Sequence, residues 1–263
     1  MSDRKGTAVV TGATGGVGAL YVAGLAERGY DLLLAGRQQK TLDAVAKAVK
    51  QKADVKVDTL VANLAEAKDL ARVEARISSD PAITALVNNA GVASFGPFAT
   101  LSSGALDETT AVNITALTRL THAVLPGFLA RGAGSIINIA SVLAFHPWPE
   151  FGVYNASKAY VVSFSQALQG EVAGKGVLVQ VVIPPAVDSD FWNKAGLPVS
   201  NLPAGAVMQL HQLVDAALKG LDRGESWVFP SLPEQAVWDD YQKARQALVG
   251  GLMNGTLAAR YAA

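Results

Sequence analysis

The chain has 263 residues, of which 50% are hydrophobic and 17% are charged, and its 22 basic and 22 acidic residues give a formal net charge of zero. This balance argues against a bulk electrostatic attraction to nucleic acid or to an anionic membrane. The absence of cysteine excludes disulfides, thiolate metal sites and cysteine nucleophiles, and the three scattered histidines (His122, His146 and His211) do not suggest a metal cluster.

Short apolar runs alternate with longer segments of helical periodicity along the chain. Strands are predicted at residues 7–11, 31–35, 55–60, 85–88, 135–139, 177–183 and 226–229. Helices are predicted at residues 17–28, 41–52, 67–78, 105–130, 154–173, 209–221 and 234–249. This alternation predicts a single α/β domain over residues 1–263, built on a Rossmann-like, doubly wound parallel sheet of about seven strands with helices on both faces. A substrate loop is expected at about 185–205, and a C-terminal helical extension at about 234–263.

A glycine-rich turn, Thr11-Gly12-Ala13-Thr14-Gly15-Gly16-Val17-Gly18, follows the first predicted strand and opens the first predicted helix. Gly12 permits a tight turn, Gly16 lets the backbone approach a ligand, and Gly18 permits close packing of helix on strand. The N–H groups at the start of that helix would then face a pyrophosphate. An ordinary glycine turn is the alternative, but the position after the first strand favours a dinucleotide site.

The residues after the second strand bear on which dinucleotide would bind. A site for NAD usually places Asp or Glu there, whereas this chain has Ala35-Gly36-Arg37. Arg37 can pair with a phosphate, and no carboxylate stands in this segment to repel one. NADP(H) is therefore the preferred cofactor and NAD(H) stays possible. The alternative interpretation of Arg37 is a solvated arginine at the start of a helix.

Tyr154 and Lys158 are four residues apart in a predicted helix, so their side chains lie on one face. An ammonium group near a phenol lowers the pKa of the phenol, and the positive charge of an oxidised nicotinamide acts in the same direction. Tyr154 could then give a proton to a carbonyl oxygen as hydride arrives, or take one from an alcohol. A tyrosine and a surface lysine at this spacing also occur by chance.

Two further polar residues fit the same site. Ser141 follows the predicted strand at 135–139, at the carboxyl edge where open parallel sheets bind ligands, and its hydroxyl could hold a substrate oxygen or simply close a loop. Asn113 stands inside a predicted long helix, where asparagine is mildly unfavourable. It is either a packed, hydrogen-bonded core amide or a residue that positions a water next to Lys158.

In combination these motifs resemble the short-chain dehydrogenase/reductase family over roughly residues 7–191. Thr11 to Gly18 resembles the family's TGxxxGxG, and Asn88-Asn89-Ala90-Gly91 matches its NNAG. The residues that match its catalytic tetrad are Asn113, Ser141, Tyr154 and Lys158. By this resemblance Tyr154 is the acid/base, and Lys158 lowers its pKa and binds the nicotinamide ribose. Ser141 would orient the carbonyl, and Asn113 would hold a water in a proton relay.

The resemblance also implies a set of cofactor contacts and an assembly. The implied cofactor-binding residues are Gly12, Thr14, Gly16, Val17, Gly18, Arg37, Asn63, Leu64, Asn89, Ala90, Gly91, Tyr154, Lys158, Pro184, Val187 and Ser189. Two positions depart from the family: Pro184-Pro185 replaces the usual Pro-Gly, and Asn63 replaces an aspartate near the adenine. The family further implies a homodimer or homotetramer packed through the long helices that contain Asn113 and Tyr154.

Apolar side chains on loops at the catalytic edge predict the lining of a substrate pocket. They are Phe95, Leu143, Phe145, Phe151, Phe191 and Trp192. They indicate an apolar or aromatic carbonyl compound or secondary alcohol, although such residues also pack lids.

The leading hypothesis is an NADP(H)-dependent carbonyl reductase or alcohol dehydrogenase that acts on a small molecule. An NAD-dependent alcohol dehydrogenase and a non-catalytic dinucleotide-binding sensor are the alternatives, and the four intact catalytic positions argue against the sensor. The N-terminal residues have no signal-peptide layout, and no apolar run approaches the roughly 20 residues of a membrane span. We therefore expect a cytoplasmic protein with neither nucleic acid nor a membrane as a partner.

Overall fold

The computed structural model describes residues 5–203 and 205–262. Within these residues, the main sheet contains β1 (Thr7–Thr11), β2 (Asp31–Gly36), β3 (Val57–Val61), β4 (Ile83–Asn88), β5 (Gly134–Ile139), β6 (Val177–Val182) and β9 (Trp227–Val228). Its order is β3-β2-β1-β4-β5-β6-β9, and each neighbouring pair is parallel. The predicted α/β fold class with a parallel sheet of about seven strands is therefore confirmed.

Helices connect the strands and cover both faces of this sheet. They are α1 (Gly16–Glu27), α2 (Gln39–Lys50), α3 (Ala67–Ser78), α4 (Ser103–Thr110), α5 (Leu117–Arg131), α6 (Gly152–Glu171), α7 (Asp190–Ala195) and α8 (Leu210–Asp222). Adjacent residues of β1 point to opposite faces, as the two-residue period of a strand requires. Val10 packs in one core cluster with residues of α1, α2 and α8, and Val9 packs in another with residues of α3 and α5.

The chain divides into two compact units, one up to Pro230 and one from Ser231. The first unit contains the sheet and α1 to α8. The second contains α9 (Gln235–Leu252) and a short 3-10 turn at Ala259–Tyr261. The expected C-terminal extension is thus helical mainly in its first half, and its last residue, Ala263, lies outside the described residues. None of the helices in the described part of the chain has both the length and the apolar composition that a membrane crossing requires.

The order of the main sheet reverses between β1 and β4. Backbone hydrogen bonds also join the residues that follow β1 and β3 to the end of β2. Ala13 N donates to Ala35 O at 3.2 Å, and Ala62 N donates to Gly36 O at 2.9 Å. In open α/β sheets, ligands bind in the crevice outside the strand ends at such a reversal. The glycine turn, at the carboxyl end of β1, therefore stands where such sheets bind their ligands.

The predicted helix at 105–130 is not one regular helix. A π-helical segment, Ala111–Ala116, separates α4 from α5, and Asn113 lies within it. A π segment inserts a wider turn into an α-helix, and such segments are frequent at functional sites. The predicted third strand begins two residues later than expected, at Val57.

The predicted substrate loop at 185–205 contains regular structure. Two short strands, β7 (Ala186–Val187) and β8 (Val207–Met208), pair in parallel, and α7 lies between them in the sequence. Ala204 lies outside the described residues.

Candidate active site

The three motif glycines of the turn between β1 and α1 all stand where a side chain is disfavoured, through backbone conformation at Gly12 and through close contacts at Gly16 and Gly18. Gly12 has a φ of +62°, which non-glycine residues rarely adopt. A Cβ added at Gly18 would lie 2.2 Å from Gly12 O, and one added at Gly16 would lie 2.7 Å from Leu210 Cδ1. In contrast, a Cβ at Gly15 would meet only Gly12 O, at 3.5 Å. The turn therefore packs closely around Gly12 and Gly18.

The start of α1 is suited to an anion. Gly15 is its extended N-cap residue, and no side chain of the described residues caps it. The first turn, Gly16-Val17-Gly18-Ala19, carries no charged side chain. The first N–H groups of a helix lack partners within the helix and stand at the positive end of its dipole. These residues fit the pyrophosphate of a dinucleotide, as the sequence predicts for Gly16, Val17 and Gly18.

Thr11 joins the glycine turn to the loop after β4. Its hydroxyl accepts from Asn89 N and from Ala90 N, both at 3.0 Å, and donates to Val87 O at 3.1 Å. The Asn89 amide donates in turn to Thr11 O at 2.9 Å and to Gly12 O at 3.1 Å. The role of Thr11 is not evident from the sequence, because a threonine at a strand end is common and only the fold shows what its hydroxyl contacts.

Arg37 extends from the end of β2 beside the glycine turn. Its neighbour Gly36 lies against Thr14, since a Cβ added there would be 3.7 Å from Thr14 Cγ2. The Arg37 guanidinium is largely exposed, and its Nη1 lies 3.7 Å from Oε1 of Glu108 on α4. The fold thus places a cation next to the predicted phosphate site, with one carboxylate facing it.

Asn63 and Leu64 follow β3 at the same edge. Asn63 Oδ1 accepts from Ala65 N at 3.2 Å, and Asn63 N donates to Asp69 Oδ2 at 2.8 Å. This backbone bond, followed by a bond from Arg72, lowers the pKa of the Asp69 carboxyl. Leu64 is buried in the core cluster that includes residues of α3 and α5. Asn63 therefore shapes the loop through its backbone and its side-chain oxygen.

Tyr154 and Lys158 lie together near the start of α6, as their spacing predicts. Lys158 Nζ is 5.5 Å from the centroid of the Tyr154 ring and donates to Ile139 O, at the end of β5, at 2.8 Å. Ser141 follows that strand, its side chain is hydrogen-bonded to that of Tyr154, and its Oγ also accepts from Leu143 N at 3.2 Å. The three functional groups converge at the carboxyl edge of the sheet.

Burial controls the ionisation of both groups on α6. Burial raises the pKa of the Tyr154 phenol, and the hydrogen bond with Ser141 opposes this rise. Burial also lowers the pKa of Lys158 to about 8. The sequence predicts a lowered pKa for Tyr154, whereas the structure gives a raised one, because the loss of hydration outweighs the hydrogen bond with Ser141.

Asn113 connects the loop after β4 to α6. Its Oδ1 accepts from Val92 N at 2.9 Å, and its Nδ2 donates to Val92 O at 2.9 Å and to Ser157 Oγ at 3.0 Å. Ser157 Oγ donates to Tyr154 O at 2.7 Å. A Cβ added at Gly91 would lie 3.6 Å from Asn113 Oδ1 and 3.7 Å from Lys158 Nζ. The π-helical turn therefore places the Asn113 amide beside α6.

Aromatic side chains surround the Tyr154 ring. Of the six predicted pocket residues, those that share one buried cluster with Tyr154 are Phe95, Leu143, Phe151, Phe191 and Trp192. The Phe151 ring centroid lies 5.0 Å from that of Phe95, 5.9 Å from that of Tyr154 and 6.0 Å from that of Trp192. Phe191 lies 5.6 Å from Tyr154 on another side. These contacts form an apolar wall next to the phenol.

Phe145 is the exception among the predicted pocket residues. It packs against a separate cluster that includes Val161, Val162 and Ile183. A 3-10 turn at Val142–Ala144 precedes it, and positions two residues apart on such a turn are separated by about 240°. Leu143 therefore lies in the cluster of Tyr154, whereas Phe145 lies in the other cluster. The structure does not bring Phe145 together with the other five predicted pocket residues.

Other members of the aromatic cluster were not predicted. Trp148 lies 5.8 Å from Phe151, and its carbonyl accepts from Asn155 Nδ2 at 2.7 Å. Ala195 and Leu197, around the end of α7, are also buried in the cluster. The aromatic residue type was a usable signal for Trp148, whereas Ala195 and Leu197 have no sequence feature that distinguishes them from core residues.

The segment from Pro184 to Ser189 connects β6 to α7. Pro184 O accepts from Val142 N at 3.0 Å, and Val187 O accepts from Trp192 Nε1 at 3.0 Å. Ser189 is the extended N-cap residue of α7, and its side chain makes no capping hydrogen bond there. This segment therefore links the end of the sheet to the apolar wall that contains Trp192.

Comparisons with known proteins place this arrangement in a family. A very-long-chain 3-oxoacyl-CoA reductase from Anas platyrhynchos is 32% identical over 252 residues, which cover 92% of this chain and 80% of that protein. The inactive hydroxysteroid dehydrogenase-like protein 1 of Homo sapiens is 39% identical over 181 residues, or 67% of this chain. The chain spans 54% of the length of that human relative.

Solved structures resemble the chain over nearly its whole length. A short-chain dehydrogenase from Sphingobium yanoikuyae in complex with NADPH is 41% identical, with a TM-score of 0.93 over 97% of this chain and 100% of that one. The bulky-bulky ketone specific alcohol dehydrogenase from Comamonas testosteroni is 38% identical, with a TM-score of 0.89 over 97% of this chain and 98% of that one. The family model described as short chain dehydrogenase matches residues 6–198. The chain therefore belongs to the short-chain dehydrogenase family.

Proposed function

We propose that the protein is an NADP(H)-dependent oxidoreductase that interconverts a bulky, apolar or aromatic ketone and its secondary alcohol, with Tyr154 as the acid/base. One observation carries this proposal: the Tyr154 phenol is bonded to the Ser141 hydroxyl and lies against the Lys158 amine, at the sheet edge that also carries the glycine turn. One relative is named inactive, so family membership alone does not establish catalysis. The intact tetrad supports an active enzyme.

When bound, NADPH supplies the hydride and NADP⁺ accepts it. In the reductive direction, the raised pKa of Tyr154 keeps its phenol protonated until negative charge develops on a carbonyl oxygen. Ser141 can donate to that oxygen and hold it next to the phenol. Lys158, whose pKa is about 8, is largely charged at neutral pH and can stabilise the phenolate that results.

Asn113 is proposed to hold a water in a proton relay that starts at Lys158. Asn113 Oδ1 and Lys158 Nζ both border Gly91, within 3.6 and 3.7 Å of the Cβ position of that glycine. Because Oδ1 accepts one protein hydrogen bond, from Val92 N, a second lone pair is left for a water. The relay would return to the phenol the proton that it gives to the substrate.

The preference for NADP(H) rests on Arg37, which is exposed beside the glycine turn and can pair with a phosphate. The Sphingobium structure, which is similar over its full length, contains NADPH and supports this choice.

Arg37→Ala should weaken NADPH binding by about tenfold and leave NADH binding nearly unchanged, because a charge-assisted bond to the 2′-phosphate is lost. Titration of the purified protein with each cofactor measures both affinities. Arg223→Ala is the control, since it removes an equally exposed positive charge elsewhere in the chain. An equal loss for NADPH and NADH would contradict the role of Arg37.

The substrate class rests on the cluster of aromatic and aliphatic side chains around Tyr154. The bulky-bulky ketone named for the Comamonas enzyme and the very-long-chain 3-oxoacyl-CoA named for the Anas platyrhynchos reductase are both large carbonyl compounds and support this choice. The test is NADPH oxidation with small aliphatic ketones, diaryl ketones and 3-oxoacyl thioesters. Diaryl ketones should show the highest kcat/KM, and a preference for the smallest ketones would contradict the proposal.

A further inference from the structure

Glu108 is the carboxylate that faces Arg37, the residue proposed to bind the phosphate of the cofactor. It lies in the last turn of α4, and its Oε1 is 3.7 Å from Nη1 of Arg37. Arg37 is the cation assigned to the phosphate of NADP(H). The carboxylate thus faces the same guanidinium that the phosphate needs, and it does so from the helix that leads into the π-helical turn of Asn113.

A phosphate and a carboxylate compete for arginine because both accept its paired N–H donors in similar geometry. The phosphate carries about −1.5 to −2 charge at pH 7, so a carboxylate this close repels it. Bringing the phosphate to Arg37 therefore requires the pair with Glu108 to separate or to share the guanidinium. Binding of an adenosine ribose without the 2′-phosphate requires neither change in the ion pair.

The ion pair between Arg37 and Glu108 is weak, so its effect on the affinity for the phosphate is expected to be small. The side chains of Arg37 and Glu108 are 62% and 43% exposed, so solvent screens their attraction. Exposed ion pairs contribute little, and the matching change in affinity is about two- to fivefold. Such a change shifts the balance between two cofactors without abolishing binding of either.

We infer that Glu108 is a specificity-determining residue that reduces the preference for NADP(H) over NAD(H), because it competes with the 2′-phosphate for Arg37. The inference rests on the proposed use of Arg37 for that phosphate. The chain has the arginine that an NADP(H) site uses, and it also has an acid near that arginine. This acid is expected to reduce the difference between the affinities of the protein for NADP(H) and for NAD(H).

The test compares adenosine 2′,5′-bisphosphate with adenosine 5′-monophosphate as probes, in calorimetric titrations of the whole protein. Glu108→Gln should tighten binding of the bisphosphate about two- to fivefold at low salt and leave the monophosphate unchanged. The gain should shrink at high salt, because the interaction is screened. Asp107→Asn is the matched control, since it removes the same charge from the neighbouring exposed position of α4 and should change neither affinity.

The outcomes separate this inference from the proposed cofactor. If the unchanged protein prefers the bisphosphate, but Glu108→Gln leaves that preference unaltered or reduces it, the inference is overturned and the proposed cofactor stands. Equal effects of Glu108→Gln and Asp107→Asn also overturn it, since general charge would then be the cause. If the unchanged protein binds both probes equally, and Arg37→Ala alters neither, the proposed cofactor fails and the inference fails with it.

Discussion

Tyr154→Phe is expected to lower kcat for ketone reduction by about a hundredfold to ten-thousandfold, the usual contribution of a positioned general acid. The hydroxyl that bonds with Ser141 is lost. The phenyl ring keeps its contacts with Phe151 and Phe191, at 5.9 and 5.6 Å, so the fold and the cofactor site should persist. NADPH oxidation measures the activity, and a fluorescence titration measures cofactor affinity, which should change by less than about threefold.

Tyr160→Phe is the matched control for this experiment. Tyr160 lies on the same helix, and its hydroxyl pairs with Thr118 Oγ1 at 2.8 Å, away from the tetrad. The variant loses the same atom and should keep nearly all of its activity. If Tyr154→Phe retains most of the turnover, the assignment of the proton donor is wrong. If neither the unchanged protein nor any variant consumes NADPH while binding it tightly, a dinucleotide-binding sensor becomes the better explanation.

Gly18→Ala is expected to reduce NADPH affinity by more than about tenfold and to lower the free energy of unfolding by about 1–3 kcal/mol. Its Cβ would lie 2.2 Å from Gly12 O and 2.8 Å from Asn89 Nδ2. Gly12 O belongs to the backbone, and Asn89 Nδ2 is held by hydrogen bonds to Thr11 O and Gly12 O, so the glycine turn must shift. That shift would break the hydrogen bonds between Asn89 and the turn. Urea denaturation and NADPH titration measure the two effects.

Gly15→Ala adds the same methyl group three residues earlier. There the Cβ meets only Gly12 O, at 3.5 Å, and the backbone has a φ of −75° that alanine adopts readily. The free energy of unfolding should change by less than about 1 kcal/mol, because a small loss at the N-cap is offset by a less flexible unfolded chain. Similar losses of NADPH affinity in both variants would show that close packing at Gly18 does not control the turn.

The fold was predictable because its signals are local. Strands such as β1 and β6 are short apolar runs between helical segments, and their alternation indicates a parallel sheet. The division of the helix at 105–130 was not predictable, since its hydrophobic pattern does not reveal one wider turn at Ala111–Ala116. The strands β7 and β8 were also missed, because each has only two residues and depends on pairing with the other.

The candidate site was predictable where its residues form compact motifs. Spacing alone places Tyr154 near Lys158, and the fold places Ser141 beside them. Spacing does not reveal burial, which is why the direction of the pKa shift of Tyr154 differs from the expectation. Contacts between distant segments, such as that of Glu108 with Arg37, depend on the fold. The single-domain organisation, the homo-oligomer and the cytoplasmic location stay predictions.

The aromatic rings that border Tyr154 have two tasks at once. In the proposed pocket, Phe151 and Phe191 would limit the room available to a substrate, and both also contact the ring of Tyr154. A smaller residue at either position would enlarge the proposed pocket, and it would also allow the Tyr154 ring to change its orientation. Variants selected for activity on larger ketones should therefore accept a wider range of substrates but have a lower kcat. A second substitution that again holds the Tyr154 ring in place should restore kcat.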